Sequence, residues 1–284
     1  MEKSNKENEP VEDAVTTLKI TWRHYLIFPV VLGFFYALII NNYVENEWTQ
    51  MMVRREYFPN EIANFSGCGN NNETDPRYKD YQTVQQVTAK WGMLFSLAEL
   101  IPATLAQIIL PPYTDVYGRK FLLILGTVAL TVKNIGISLT VYYEASFWYL
   151  FAANAALGVG GTGLAFGSAA FSYTADITFT KTQRTIGVVA TEAMIMFAVV
   201  ASSYCSGLFI EDLDLGFFYT SVIGSGFTVL MILLILCMEE SLPKENRSKP
   251  KPILESIKRM TDFYISKDFK GKRKAYILLV ITFG

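Results

Sequence analysis

The sequence predicts an all-α polytopic membrane protein, and three observations predict it. Of 284 residues, 51% are hydrophobic and only 18% are charged, against about 25% charged in an ordinary globular domain. The apolar residues form long uninterrupted blocks rather than the stripes of a half-exposed helix. Each block is about as long as the roughly 20 residues a helix needs to cross a hydrocarbon core. This pattern excludes a disordered chain, a coiled coil and an ordinary soluble enzyme. The 25 Lys and Arg against 26 Asp and Glu leave a formal charge of -1. No basic surplus is left to meet phosphate, so no nucleic-acid partner is expected. Three cysteines in a chain of this length are not a disulfide framework.

Taken in order, residues 1–23 read as a polar tail and 24–238 as a six-span unit. The spans lie near 24–44, 89–111, 121–143, 147–171, 186–208 and 216–238. The acidic stretch from Glu2 to Asp13 and the length of the first run favour a span over a cleaved signal peptide. Residues 239–274 form a basic loop. A seventh span begins at 275 and is cut short at Gly284, which suggests a fragment of a longer chain, because half a span would strand its backbone in lipid.

Orientation follows from the cations at the span ends. Arg119 and Lys120 follow the second span, Lys181 and Arg184 the fourth, and the 239–274 loop is rich in Lys and Arg. These loops are expected in the cytoplasm, together with the N-terminus. The large 45–88 loop then faces the lumen or exterior. It carries the sequons Asn64-Phe65-Ser66 and Asn72-Glu73-Thr74 around Cys68, so Asn64 and Asn72 are expected glycosylation sites.

The turn between the second and third spans reads Asp115-Val116-Tyr117-Gly118-Arg119-Lys120. Gly118 permits a tight turn, Asp115 offers a carboxylate to a helix N-terminus, and the two cations anchor that side. A plain positive-inside loop would explain Arg119 and Lys120 but not Asp115 or Gly118. Asp176 ends the fourth span, as a helix cap or as a partner for a cation.

Charges at bilayer depth cost several kcal/mol unless paired or wetted, so each is a functional candidate. Glu192 lies eight residues past Arg184, about 12 Å along the helix. It is a candidate for loading a proton or for a structural hydrogen bond. Glu99 and Lys133 each lie 12 residues into neighbouring antiparallel spans. Equal depth makes an ion pair, as a proton relay or as a static pair. Asn134, Asn154 and Gln107 line the same route or bond between helices. The glycines Gly158, Gly160, Gly161, Gly163 and Gly167 form a packing seam or a place where the fourth span bends, and Pro29 suggests a kink in the first. His24, the chain's one histidine, reads as an interface residue.

The D-x-x-G-R-K turn resembles the signature of the major facilitator superfamily, with Pro111 where that signature usually has Gly. Leu100-Ile101-Pro102-Ala103, Tyr117-Gly118-Arg119-Lys120-Phe121, Ser172-Tyr173-Thr174-Ala175-Asp176, Arg184-Thr185 before Glu192, and Gly271-Lys272-Arg273-Lys274 extend the likeness. Together they resemble the proton-coupled folate transporter family, solute carrier family forty-six. The resemblance implies an N-terminal six-helix half of a twelve-span transporter. It also implies a gating motif of Asp115, Gly118, Arg119, Lys120 and Asp176, with an Asp176–Arg119 bridge, and proton coupling at Glu192. Cys68 would pair with a cysteine in a second half. The expected function is secondary active, proton-coupled transport of a small organic solute across a plasma or lysosomal membrane. The partners are that solute, protons and the lipid bilayer. A non-transporting receptor or truncated regulatory isoform is the alternative. No catalytic residues, cofactor or metal are expected, and no G-x-x-x-x-G-K-[ST] motif suggests ATP-driven pumping.

Overall fold

A computed structural model describes residues 20–58, 78–243, 245 and 247. After a 3₁₀ turn at Trp22–Leu26 come α1 (Ile27–Tyr57), α2 (Tyr78–Tyr117), α3 (Arg119–Tyr142), α4 (Phe147–Val159), α5 (Thr162–Asp176), α6 (Lys181–Gly207) and α7 (Gly216–Cys237). Because α4 and α5 share one apolar stretch, these make six helical segments long and apolar enough to cross a membrane.

The helices outrun the apolar blocks that announce them. The first was expected to end at residue 44, yet α1 continues to Tyr57, and α2 starts at Tyr78 rather than 89. Much of the 45–88 loop is therefore helix. Polar residues after Val44 lower the hydropathy without stopping a helix, and the first breaker in the sequence is Pro59, just past the cap residue Phe58. Pro29 sits in the first turn of α1, where its missing N–H would have no helical acceptor anyway. The change from 3₁₀ to α pitch falls just before it. At α6, the Thr180 hydroxyl accepts from the Gln183 N–H at 3.2 Å and the Gln183 side chain accepts from the Thr180 N–H at 3.3 Å, a reciprocal cap.

The fourth span both bends and packs at its glycines. Gly160 closes α4, and Gly161 has φ +84°, a left-handed conformation that side chains disfavour. Gly158 lies so close to α2 that a Cβ there would come within 2.6 Å of Pro102 Cγ and 3.1 Å of the Glu99 carbonyl carbon. Gly158→Val is therefore expected to cost about 1–3 kcal/mol, the usual scale of overpacking. Thermal unfolding of the purified chain in detergent would read this as a lowered midpoint.

The apolar core joins α1, α3, α5 and α7 through Val31, Phe34, Leu123, Phe166, Met231 and Ile235, with Phe34 and Phe166 stacked at 3.7 Å. The helices differ sharply in how much they bury. In the α4–α5 span 67% of the apolar window is covered, against 22% in α2 and 17% in α6. Leu97, Leu100, Ile101 and Leu105 on α2, and Ile186, Val189, Phe197 and Val200 on α6, are left exposed.

Candidate functional site

Two polar constellations stand out against this apolar frame, one at an end of the bundle and one in its interior.

The end constellation is built on the turn between α2 and α3. Gly118, the single residue between the two helices, has φ +104°, so the chain reverses there only with glycine at little cost. Arg119 reaches three ways. Its guanidinium meets Asp115 Oδ1 at 2.7 Å and Asp176 Oδ2 at 3.1 Å, and donates to Thr114 Oγ1 at 2.7 Å. Arg119 thus ties α2 and α3 to the end of α5. Asp176 also accepts from the Ser241 hydroxyl at 3.1 Å.

Asp115 does not cap a helix start, as the sequence suggested; it pairs with Arg119. The carboxylate on the α3 N-terminus belongs to Glu240, which accepts from the Arg119 N–H at 2.8 Å and the Lys120 N–H at 3.3 Å. These are free donors at the positive end of a helix. Lys120 does the complementary work for α7, donating to the Met238 carbonyl at 2.7 Å and the Leu236 carbonyl at 3.2 Å. Glu239 completes the knot. Its backbone carbonyl accepts from the Tyr173 hydroxyl at 2.6 Å, and its carboxylate accepts from the Thr21 hydroxyl at 3.0 Å. His24 is buried there, 4.0 Å from Glu239, and receives the Thr21 N–H at 3.1 Å. It sits between the turn that precedes α1 and the segment that follows α7. Glu239 and Glu240 were hidden in the sequence because they open a segment dominated by cations.

The interior constellation centres on Lys133, which is 1% exposed. Its ammonium donates to Asn42 Oδ1 at 2.8 Å and to Glu99 Oε2 at 3.3 Å, and lies 3.5 Å from Glu45 Oε2. The Asn154 amide donates to the other Glu45 oxygen. Four helices, α1 to α4, thus converge on one cation and two carboxylates. The Glu99–Lys133 proximity follows from equal depth along antiparallel helices. Glu45 was missed because its position lies past the apolar run. A helix continued by one turn would have placed it near Lys133.

Beside this cluster, Ser221 donates to Asn41 Oδ1 at 2.7 Å, and the Ser138 and Ser221 hydroxyls are 2.7 Å apart, joining α1, α3 and α7. Asn134 is fully buried and neither atom of its amide has a partner among the described residues. Gln107 donates to the Gly161 carbonyl at 3.5 Å, at the bend of the fourth span. Glu192 joins neither constellation. It lies on an exposed side of α6, next to Thr191, whose buried hydroxyl is 3.2 Å from that of Thr174. Asn64, Asn72, Cys68 and the expected seventh span lie outside the described residues. Among the described residues no group of three or more His, Cys, Asp or Glu is placed to hold a metal.

Comparison with known proteins gives these two constellations a setting. The family model described as Major Facilitator Superfamily matches residues 80–284. Among curated relatives, a protein named lysosomal proton-coupled steroid conjugate and bile acid symporter SLC46A3 is similar in several animals. The Pongo abelii and Homo sapiens proteins are each 23% identical over 242 residues, 82% of this chain and 52% of the relative. The Bos taurus protein is 25% identical over 263 residues, 89% of this chain and 56% of the relative. The chain thus spans about half the length of the curated relatives it matches.

Proposed function

We propose, because this chain belongs to the major facilitator superfamily, that it works in proton-coupled secondary transport of an amphipathic organic anion. The observation that carries the reading is the Arg119 knot, in which one guanidinium holds Asp115 and Asp176 on two other helices. Such a contact is a bistable element of the kind alternating access requires, closed in one state and broken in another. The knot is assigned to the cytoplasmic side, on the strength of the cations gathered there. The opposite end, with Asn64 and Asn72 as glycosylation sites and Cys68 as half of a disulfide, faces a lumen or the exterior. The relatives' names speak for a lysosomal membrane and for steroid conjugates or bile acids as the substrate class.

Glu192, Glu99 and Lys133 are the coupling candidates. Glu192 stands on an uncovered face of α6, where a carboxylate can exchange a proton with the transport path as the bundle rearranges. The test is uptake of a labelled steroid sulfate into proteoliposomes holding the protein expressed from its complete gene, with an imposed proton gradient. Accumulation is expected to rise with the gradient, and Glu192→Gln is expected to remove most of that rise at equal protein content. Retention of the wild-type gradient dependence by Glu192→Gln would remove this residue from the coupling machinery. No accumulation under any gradient would favour a non-transporting membrane receptor.

A further inference from the structure

We infer that residues 238–242 form a strap that splints the gate. Glu240 is a positioning residue for Arg119, and it works as a pair with Ser241, because these adjacent side chains grip opposite members of the Arg119–Asp176 bridge. The start of α3 makes the first grip necessary. Its N-cap position is Gly118, which has no side chain to offer, and its first turn holds no acid. The free N–H groups there need an acceptor from elsewhere, and Glu240 supplies one to Arg119 and Lys120. Gly118 also makes the room for it. A Cβ at that position would lie 2.6 Å from the Glu240 carboxyl carbon, so the glycine serves both for its backbone angle and for the space it leaves.

The second grip is the next residue along the chain. Ser241 is buried and donates to Asp176 Oδ2, the same oxygen that Arg119 Nε meets at 3.1 Å. Glu240 thus holds the backbone of the bridge's cation while Ser241 holds the bridge's anion. The strap between them is itself tied down. Lys120 donates to the Met238 carbonyl, Tyr173 to the Glu239 carbonyl, and the Leu242 N–H reaches back to Glu240 Oε1 at 3.4 Å.

With the strap in place, α5 cannot part from α3 without breaking one of the two grips, so bridge and strap open together. The position in the chain gives this a direction. α7 ends at Cys237, and the chain leaves the six-span unit through the strap. Motion arriving from the residues that follow reaches Ser241 and Glu240 before it reaches Arg119. The same contacts that close this end of the bundle therefore connect it to the rest of the polypeptide.

What the opening is for rests on the alternating-access reading above; the splint itself does not. It is tested by hydrogen–deuterium exchange of the protein expressed from its complete gene, purified into lipid nanodiscs, with neither substrate nor gradient, so that its failure and the failure of the transport reading are separate results. In Glu240→Ala the Arg119 and Lys120 amides are expected to exchange about 2- to 30-fold faster, what the loss of a helix cap is worth. The decisive readings are the crossed ones. Glu240→Ala is expected to speed exchange in the last turn of α5, which Glu240 does not bond, and Ser241→Ala to speed it at Arg119 and Lys120, which Ser241 does not bond. Glu240→Gln, which keeps an oxygen for the Arg119 N–H, is expected to fall between Glu240→Ala and the wild type at both places. Exchange in the interior of α3, from Leu122 to Leu130, is expected to stay at the wild-type rate. Effects confined to the helix that each residue bonds would make Glu240 and Ser241 two unconnected caps and overturn the splint. Equal loosening of the α3 interior would make them residues of the fold at large and overturn it as well.

Discussion

Lys133→Met is expected to be the most damaging single substitution in the chain. Methionine fills nearly the same space, so the loss is electrostatic. It strands Glu45 and Glu99 around a site that is 1% exposed, and breaking a buried pair in this way costs about 3–5 kcal/mol. Against the modest stability of a typical domain, that is enough to unfold the bundle or to make it aggregate on extraction. The triple variant Lys133→Met, Glu45→Gln and Glu99→Gln carries no charge there and is expected to recover most of the loss. Size-exclusion profiles and thermal unfolding in detergent would read both effects. Equal damage in the single and triple variants would mean that packing, not charge, sets the importance of Lys133.

Arg119→Ala carries the second largest expected effect, and it acts on the conformational balance more than on stability. The arginine is the shared member of the contacts to Asp115, Thr114 and Asp176, so its loss frees α5 from the α2–α3 turn at once. Coupling contacts of this kind are worth about 1–3 kcal/mol, a 5- to 150-fold change in an open-to-closed ratio. A cysteine introduced at Ser241, whose hydroxyl is bound to Asp176, is expected to react with a polar maleimide faster by a factor in that range when Arg119 is replaced. Arg119→Lys, which keeps the charge but not the fork that reaches several partners, is expected to fall between the two. An unchanged labelling rate would mean that Glu240, Lys120 and Tyr173 hold this end closed without the arginine.

The same two clusters show what the amino-acid order discloses and what it conceals. Six spans are legible because lipid demands long apolar runs, and α3 and α7 begin and end close to where the runs do. The ends of α1 and α2 are not legible in that way. Hydropathy reports where a helix meets lipid, whereas its length is set by the next breaker, here Pro59, and so Glu45 looked like loop. The Glu99–Lys133 pair could be found by counting residues from a short turn, since antiparallel neighbours keep equal depth. Glu45 and Asn154 could not, because their approach depends on which helices become neighbours across long stretches of chain. The glycines of the fourth span left open a seam or a bend, and the fold uses both, Gly158 against α2 and Gly161 at the break. Glu240 was concealed by its neighbours. A carboxylate that caps α3 from more than a hundred residues away carries no local mark.

The proposed activity is the joint passage of a proton and an organic anion across the membrane. Proteoliposomes with a pH indicator trapped inside test it most directly, with no gradient imposed and a steroid sulfate added outside. The lumen is expected to acidify as the anion enters, and Glu192→Gln is expected to remove most of the acidification. Entry of the anion with no change in internal pH would contradict it.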